Sequence, residues 1–452
     1  MRVTTVLAYI LGILIIVVGL AVSIALHEIG HLVPAKKFGV RVGQYMIGFG
    51  PTLWSRRFGE TEYGFKALPL GGYISMAGMY PPTPAERLAA QGAPPRNGRA
   101  GGGFFATMVQ DARTANDDTM QGADDDRVFY RLQVWKRVIV MLGGPLMNLL
   151  LAIVLFAILF TGIGVQTAST TVATVNECVV PAGSAQTECA PGDPASPAAA
   201  AGLLPADEIL AIDGVAVSSF DEISAIIRDS PGIPLSFLIE RDGAEQTLTV
   251  TPLLAERPVY DDAGMPVVGP DGAPETVEVG FVGFAPTSEF EPQPIWAGPE
   301  AAFANVGAVA EIIVQLPVKL YDTAAGLFTG AERDPDGPLS VVGVGRLAGD
   351  VAVADAPVLN RVAAIVGLLA SLNVALFVFN LIPLLPLDGG HIIVALWEGA
   401  KRAWAKVFRR PAPKPVDATR LVPVTFVVVV VLLIGMGALL IIADLFNPVQ
   451  LL

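Results

Sequence analysis

Residues 24–32 read Ile-Ala-Leu-His-Glu-Ile-Gly-His-Leu, an HExxH pattern that closes a long apolar run over 6–26. On a helix, His27 and His31 lie one turn apart on the same face, so both imidazoles can bind one Zn²⁺. Glu28 lies beside them and can accept a proton from water. Ionisable groups in membrane helices are costly and usually functional. The motif therefore predicts a metal site; the alternative is a membrane helix whose polar end only reaches the interface.

A third metal ligand has to come from elsewhere in the chain. The only other histidine is His391, in the stretch NLIPLLPLDGGH that ends a second apolar run at 380–391. The same stretch carries an isolated carboxylate, Asp388. A zinc peptidase uses three protein ligands, an open position and a base, and either side chain suits zinc chemically. The two polar clusters on two apolar segments predict one buried site.

The chain is too apolar for an ordinary soluble protein, with 53% hydrophobic and 16% charged residues. A membrane helix needs about 20 apolar residues. Four segments meet this requirement, at 5–34, 138–165, 361–382 and 421–445. The first is longer than the apolar core of a signal peptide, and cleavage after Ala25 would separate the motif from its membrane anchor. We therefore expect it to be a retained membrane helix.

The charge distribution predicts the orientation of these helices. Residues 165–360 hold 28 of the 42 acidic residues but only 6 of the 29 basic ones. The basic residues cluster after the first span, before the second, and between the third and fourth. Positively charged flanks stay in the cytoplasm. We expect both termini and the acidic 165–360 region to be extracytoplasmic, which also argues against nucleic acid as a partner.

Together, HEIGH at 27–31 and NLIPLLPLDGGH at 380–391 resemble the site-2 protease family of intramembrane zinc metalloproteases. The bacterial branch with one extracytoplasmic PDZ-like region is the most similar. The resemblance includes GFGP at 48–51, LPLGGY at 68–73, GPLMN at 144–148 and the PDZ-like stretch, but not 80–128 or 255–275. It implies an α-helical polytopic membrane protein with four transmembrane helices, a membrane-embedded β-hairpin sheet and an extracytoplasmic PDZ-like α+β domain.

The resemblance also implies roles for particular residues. Glu28 would be the catalytic base, and His27, His31 and Asp388 would bind one Zn²⁺ per chain, with His391 as the rival third ligand. Further residues are expected to bind substrate or the oxyanion: Asn148, Asn380, Pro383, Gly71, Gly72 and Tyr73. For Asn148 a helix–helix contact is the alternative, and for Asn380 a cap at the helix break. The hairpin at 45–76 would offer an edge to an unwound substrate, or would only pack on the helices.

The acidic outer region is similar to a PDZ domain. A helical pattern at 220–228 lies among strands predicted at 235–240, 246–252 and 277–284, and the loop GLLPADEIL at 202–210 would meet a peptide carboxylate through backbone N–H groups. The domain would bind peptides, or would only exclude substrates with bulky outer domains. Cys178 and Cys189, the only cysteines, suit an external disulfide, with two free thiols as the alternative.

The predicted organisation has nine segments. They are a first transmembrane helix with HExxH at 1–38, a membrane-associated β-sheet at 39–79, a flexible cytoplasmic insertion at 80–127, an interfacial helix and second transmembrane helix at 128–165, the PDZ-like domain at 166–290, amphipathic helices broken at Pro317 and a linker at 291–356, a third transmembrane helix with NxxPxxPLDG at 357–400, a basic cytoplasmic loop at 401–420, and a fourth transmembrane helix at 421–447.

These features predict an intramembrane zinc metalloendopeptidase of a bacterial cell membrane, with its active site near the cytoplasmic side. The resemblance implies single-span membrane substrates, such as anti-sigma factors or remnant signal peptides, in the lipid bilayer, and a site-1-type protease acting upstream. Two other classes fit less well. A membrane scaffold or chaperone would use the PDZ-like domain and a structural metal. A zinc transporter would normally need several ligand sets, whereas one is visible.

Overall fold

The computed structural model describes residues 3–81, 119, 126–179, 189–190, 193–259, 267, 275–331, 333–334, 337–411, 413, 416 and 421–447. Most of the insertion predicted at 80–127 therefore lies outside the described residues. The chain divides into two compact units, one formed by 1–162 with 294–452 and the other by 163–293. Each unit is described by itself.

The first unit is built mainly from apolar helices. Its long helices are α1 (Val3–Lys37), α2 (Val134–Ala157, continued by a π-helical segment to Ile163), α5 (Ala297–Thr329), α6 (Val341–Val353), α7 (Val358–Asn380), α8 (Asp388–Val407) and α9 (Val422–Phe446, with a π-helical middle). The interfacial helix predicted before α2 is a single 3₁₀ turn at Phe129–Arg131.

Five of the described helices, α1, α2, α5, α7 and α9, have the length and apolar composition of a membrane span, one more than the four predicted. The additional one is α5, which is a single continuous helix of 33 residues. Pro317 lies inside it, so the predicted break is wrong. A proline removes one hydrogen bond from the interior of a helix, and a long apolar helix can continue through it.

The helices α1 and α2 approach each other at glycines. A Cβ atom on Gly30 would lie 2.2 Å from the Gly143 carbonyl oxygen, and one on Gly143 would lie 2.0 Å from the Gly30 carbonyl oxygen. Small residues permit this backbone contact, which is a common basis of helix packing in membranes. Similar contacts join α6 to α1, where Gly12 meets Ala348. The glycine pattern thus fixes which helix faces meet.

The predicted hairpin is present as two long strands, β1 (Val42–Phe58) and β2 (Thr61–Met76). The segment 44–47 of β1 pairs on one side with 62–65 and on the other with 72–75, because β2 bends around it. Among the described residues, no further strand pairs with 72–75. This segment is therefore an edge of the sheet.

The second unit contains an antiparallel sheet and two short helices. The strands are β3 (Val165–Val175), β4 (Glu208–Ile212), β5 (Val215–Ala216), β6 (Leu235–Arg241), β7 (Ala244–Val250), β8 (Leu253–Pro258), β9 (Thr276–Phe281) and β10 (Phe284–Glu291), and the helices are α3 (Pro197–Ala201) and α4 (Phe220–Arg228). The strand order is β10-β3-β4-β6-β7, with β5 on β4 and a separate β8–β9 pair.

The core of this unit follows from strand alternation. Leu235, Phe237 and Ile239 point inward from β6, and Ile223 of α4 packs against them. Apolar residues two apart share one face of a strand, so this pattern buries one side of the sheet. Cys178 and Cys189 are joined by a disulfide bond.

The loop at 202–210 does not present free N–H groups to a ligand. The N–H of Leu204 donates to Asp207 Oδ2 at 2.8 Å, that of Leu203 to the Ala198 carbonyl at 3.0 Å, and that of Ala206 to the Val172 carbonyl at 2.8 Å. Internal hydrogen bonds already satisfy these donors. The prediction that this loop meets a peptide carboxylate is therefore wrong.

We predict that Asp207 stabilises this unit in a pH-dependent way. Its side chain is 1% exposed and accepts two hydrogen bonds from Arg241, each at 2.7 Å. Burial alone raises the pKa of Asp207, but Arg241 and the Leu204 N–H lower it below its ordinary value. The stabilisation is present above the unfolded pKa of about 3.9 and is lost as the pH falls through the lower folded pKa. Asp207→Asn should reduce the free energy of unfolding by about 1–3 kcal/mol at neutral pH.

The measurement is hydrogen exchange of the β4 and β6 amides in the full chain between pH 3 and 7. Glu240→Gln, a neutralisation of an exposed carboxylate on β6, is the control. We expect the Asp207→Asn chain to exchange faster than wild type at pH 7 and to converge with it at low pH. Equal protection at all pH values would contradict this role for Asp207.

Candidate metal centre

The helix α1 presents the two motif histidines side by side. Their spacing of four residues places both rings on one face, with ring centroids 4.8 Å apart and the two Nε2 atoms 3.1 Å apart. Glu28 is 8% exposed and accepts no hydrogen bond from any described residue. The motif therefore offers two ligands and an unengaged carboxylate in a buried setting.

Asp388 joins the histidines because it begins α8. The chain turns sharply between α7 and α8, and Gly389 and Gly390 line the inside of the turn. A Cβ atom on Gly389 would lie 2.3 Å from the Leu381 carbonyl oxygen, and one on Gly390 would lie 2.6 Å from the Leu384 carbonyl carbon. The turn brings Asp388 Oδ2 to 3.3 Å from Nε2 of both His27 and His31.

The three ligand atoms fit a metal ion. Their separations of 3.1–3.3 Å match the roughly 3.3 Å between ligands of a tetrahedral zinc at 2.0–2.1 Å from each. His31 Nδ1 donates to the Val140 carbonyl at 2.7 Å, which leaves its Nε2 lone pair for a metal. Asp388 Oδ2 is buried without a hydrogen-bond partner. A buried acceptor in this state is expected where a cation binds.

His391 lies outside this cluster. In the described part of the chain, the one group of histidine, cysteine or acidic side chains close enough to hold a metal is His27, His31 and Asp388. The ring of His391 lies 6.4 Å from that of Tyr80, centroid to centroid. It lies three residues further along α8 than Asp388, so its side chain packs beside the cluster.

The helix α2 packs directly against His31 of the cluster. A Cβ atom on Gly144 would lie 2.2 Å from His31 Nε2, and no side chain other than hydrogen fits there. A single glycine position thus permits α2 to lie directly against a metal-binding imidazole.

A cavity of about 450 Å³ opens next to the cluster. Its polar lining consists of His27, Glu28, Asn148, Ser340 and Asn380, and the rest is apolar apart from the backbone of two glycines. Those glycines are Gly71 and Gly72 of β2. His27, Glu28 and the two glycines of β2 therefore line one largely apolar chamber, which suits a peptide segment better than a polar solute.

The predicted substrate-binding residues divide between this cavity and other places. Gly71 and Gly72 line it, and a Cβ atom on Gly72 would lie 3.1 Å from Glu28 Cγ. The hydroxyl of Tyr73 donates to Gln44 Oε1 at 3.2 Å, and neither Tyr73 nor Pro383 lines the cavity. Pro383 lies exposed in the turn before α8.

The two predicted asparagines differ in how they are engaged. Asn380 donates to the Leu376 carbonyl at 2.9 Å, one turn back in its own helix. Asn148 is 1% exposed, and neither its amide nitrogen nor its oxygen has a hydrogen-bond partner. A buried amide without partners is costly. Asn148 is therefore, like Glu28, a polar group in the lining that is available to a ligand.

Sequence reasoning missed one wall of the cavity. Leu339, Ser340, Val341 and Val344 line it. They belong to the segment around 337–343 and the first turn of α6. The local sequence signal is a serine before a helical run, which predicts only a helix N-cap. The structure has this cap: Ser340 Oγ accepts hydrogen bonds from the N–H groups of Val342 and Gly343 at 3.1 and 3.2 Å.

Comparisons with known proteins agree with this geometry. Residues 15–412 match the sequence profile of Peptidase family M50. The chain is 34% identical over 454 residues to zinc metalloprotease Rip1 of Mycobacterium tuberculosis strain H37Rv, covering 98% of this chain and 99% of the relative. It is 30% identical over 413 residues to metalloprotease MmpA of Caulobacter vibrioides, covering 87% and 89%.

We predict that Asp388→Ala lowers bound zinc strongly, because it removes one of three ligands. His391→Ala should retain one zinc per chain, because His391 lies outside the cluster. The measurement is the zinc content of the purified full chain by elemental analysis. Full occupancy in Asp388→Ala with loss in His391→Ala would make His391 the ligand.

A second prediction concerns Gly144. The added methyl group of Gly144→Ala overlaps His31 Nε2, so the variant should bind zinc weakly although it removes no ligand. Gly307→Ala, where a Cβ atom meets nothing within 4 Å, is the matched control and should bind normally. Normal zinc affinity in Gly144→Ala would show that α1 and α2 can separate at little cost.

Proposed function

The chain belongs to peptidase family M50, the site-2 proteases, and is a membrane-embedded zinc metalloprotease; from that premise we propose how its own residues perform the hydrolysis. His27, His31 and Asp388 hold the zinc, and Glu28 is the catalytic base. The observation that supports this most directly is the triangle of three ligand atoms beside Glu28, at one end of an apolar cavity.

Zinc bound by these residues would polarise the scissile carbonyl and lower the pKa of water. Glu28 accepts the proton of the attacking water and returns it to the leaving nitrogen. The low exposure of Glu28 excludes bulk water, and the absence of a hydrogen bond from a described residue leaves its carboxylate free to take the proton. The Val140 carbonyl holds His31 in one tautomer and directs its Nε2 lone pair towards the metal.

Asn148 is the proposed donor to the oxyanion. It lines the same cavity as Glu28, and its amide has no partner among the described residues. A preorganised donor in a dry site stabilises developing negative charge without having to leave another hydrogen bond. A helix–helix contact, the alternative role, is disfavoured because neither amide atom contacts an acceptor or donor on a neighbouring helix.

The edge segment 72–75 is the proposed surface for the substrate backbone. A peptide bond inside a helix is protected because its carbonyl and N–H are already bonded, so the substrate has to unwind before cleavage. An exposed strand edge offers replacement hydrogen bonds. Gly72 lies against Ile24 and Glu28, so a strand added here would pass the base.

The proposed topology has four crossings with both termini outside. Leu369 of α7 packs on Gly19 of α1, and Asn380 reaches the level of His27, so α7 runs parallel to α1. Both helices therefore begin on the same side of the membrane. Since α2 ends on that side, the chain between α2 and α7 makes no net crossing. If α5 also crossed the membrane, α7 would run antiparallel to α1. The basic segment 401–420 would then lie outside, against the positive-inside rule.

The second unit is proposed to be PDZ-like, with a peptide site between α4 and β9. A cavity of about 460 Å³ lies there, lined by Phe220, Ile227 and Arg228 of α4 and by the backbone around Gly280. Arg257 also lines it, with its guanidinium 3.7 Å from the centre of the Phe281 ring. Two arginines beside an apolar groove suit a peptide with a carboxylate. Exclusion of bulky outer domains is the alternative role.

The proposed substrates are single-span membrane proteins whose outer domain has been removed by another protease, such as anti-sigma factors or remnant signal peptides. The cavity is apolar and lies between apolar helices, so a membrane segment matches its surface. The site is proposed to lie near the cytoplasmic face of a bacterial cell membrane, because the basic residues of 401–420 lie at the end of α8 and beyond it.

We predict that Glu28→Gln keeps its zinc and abolishes cleavage, because the amide preserves the shape of the side chain and cannot accept the proton. Membrane proteomes of cells carrying wild type and Glu28→Gln should differ in a small set of single-span fragments without outer domains, present only with the variant. Glu245→Gln, at an exposed hairpin, is the control and should match wild type. Near wild-type cleavage by Glu28→Gln would sink the assignment of Glu28 as base.

A further inference from the structure

The cavity wall at 339–344 is held by a carboxylate from the last helix. Asp444 of α9 accepts a hydrogen bond from the backbone N–H of Ser340 at 2.8 Å. Its other oxygen is paired with the guanidinium of Arg333, which also donates to the Pro338 carbonyl. The side chains of Arg333 and Asp444 are each 2% exposed. The ion pair is thus fully withdrawn from solvent.

A second set of contacts ties the same two helices. Arg346 of α6 donates to the Asp444 carbonyl at 3.3 Å. A Cβ atom on Gly343 would lie 2.3 Å from Asp444 Oδ2, so only glycine admits the carboxylate this close to the first turn of α6. A carboxylate at the N-terminus of a helix is also favoured by the helix dipole. The contacts on both sides of Asp444 therefore fix the position of Ser340.

Stability alone does not account for this arrangement. Two buried charges are expensive to desolvate, and an apolar pair of similar size would often stabilise a fold as well or better. The residues that the pair restrains, Leu339, Ser340, Val341 and Val344, are the ones that line the catalytic cavity. The wall they form faces Ile16 and Leu20 of α1.

We propose that Asp444 is a positioning residue of the protease: by holding the Ser340 N–H it fixes the 339–344 wall and thereby sets how a substrate segment fits in the cavity. The inference rests on the proposed function of that cavity. Asp444 itself does not line it and touches no reacting group. Its effect therefore falls on substrate binding and on the choice of the cut position, and leaves zinc binding unchanged.

The first test compares two double variants that differ in one hydrogen-bond acceptor. Arg333→Met with Asp444→Asn and Arg333→Met with Asp444→Leu both remove the ion pair, and asparagine and leucine resemble aspartate in size. The Asn side chain can still accept from Ser340, whereas Leu cannot. Both chains should fold and bind one zinc. A difference between them therefore reports the hydrogen bond to the wall.

Kinetics are measured with the purified full chain and a panel of synthetic single-span peptides, each with a central helix-breaking Asn-Pro pair, in detergent micelles. The Leu variant should show about tenfold lower kcat/KM than the Asn variant. The loss should fall mainly on KM, with a broader set of cut positions, because the wall contacts bound substrate. A loss confined to kcat, or identical kinetics in the two variants, would overturn the proposal.

A second comparison keeps both Arg333 and Asp444 and changes only the glycine against which the carboxylate lies. Gly343→Ala forces the wall and Asp444 apart, whereas Gly345→Ala, two residues along the same helix, meets its nearest atom at 3.9 Å. Gly343→Ala should raise KM severalfold and keep its zinc, and Gly345→Ala should behave as wild type. Equal KM values in these two variants would count against the wall as a determinant of fit.

Hydrogen exchange of the peptide containing 339–344 separates this inference from the proposed function. Exchange should be faster in the Arg333→Met, Asp444→Leu chain than in the Arg333→Met, Asp444→Asn chain whether or not the peptides are cleaved. If wild type, with zinc bound, cleaves none of the peptides, the proposed function fails while the exchange comparison still tests the restraint. Equal exchange in the two chains would show that Asp444 does not restrain the wall, and would overturn its proposed role.

Discussion

Three ionisable side chains withdrawn from solvent among apolar helices are the constraint on which the first unit depends. Two imidazoles and one carboxylate in such a setting are costly unless each is paired or binds a cation. The fold meets that requirement locally. The four-residue spacing aligns His27 with His31, a glycine-lined turn places Asp388, and the Val140 carbonyl fixes one tautomer. The ligand atoms consequently lie at metal-binding separations without further rearrangement.

The glycines near the cluster follow from the same requirement. Gly144 and Gly72 bring a helix and a strand up to His31 and Glu28: a Cβ atom at Gly144 would overlap His31 Nε2, and one at Gly72 would crowd Ile24 and Glu28 Cγ. Close packing excludes water from one side of the site, while the cavity keeps the other side open to a peptide. The site is therefore shielded from water on one side and open on the other, and the interactions between its charges are stronger than they would be in water.

Local sequence patterns predicted the parts of the site that local geometry determines. HExxH and the turn before α8 act over a few residues, so the sequence could predict that His27, His31 and Asp388 come together beside Glu28. The wall at 339–344 could not, because its restraint joins Ser340 to Asp444 across 104 positions. Tyr73 stands next to Gly72, which lines the cavity, but successive side chains on a strand point to opposite faces. Pro383 lies in the turn before α8, three residues beyond Asn380. The break predicted at Pro317 is wrong because the loss of one backbone hydrogen bond does not end an apolar helix of 33 residues.

The same distinction explains the loop at 202–210. Its similarity to the peptide-binding loop of a PDZ domain suggested open N–H groups, and those groups are instead satisfied by Asp207 and by neighbouring carbonyls. Asp207, Glu398 and Asp444 share this role in the described chain. Each is a buried carboxylate that pairs with an arginine and accepts a backbone N–H, and thereby ties distant segments together. Arginine suits such sites because its planar donors satisfy a carboxylate in a fixed geometry. Since only Asp444 restrains residues that line the catalytic cavity, it is the one whose loss is expected to change what the enzyme cuts, whereas loss of the other two is expected to change how firmly it folds.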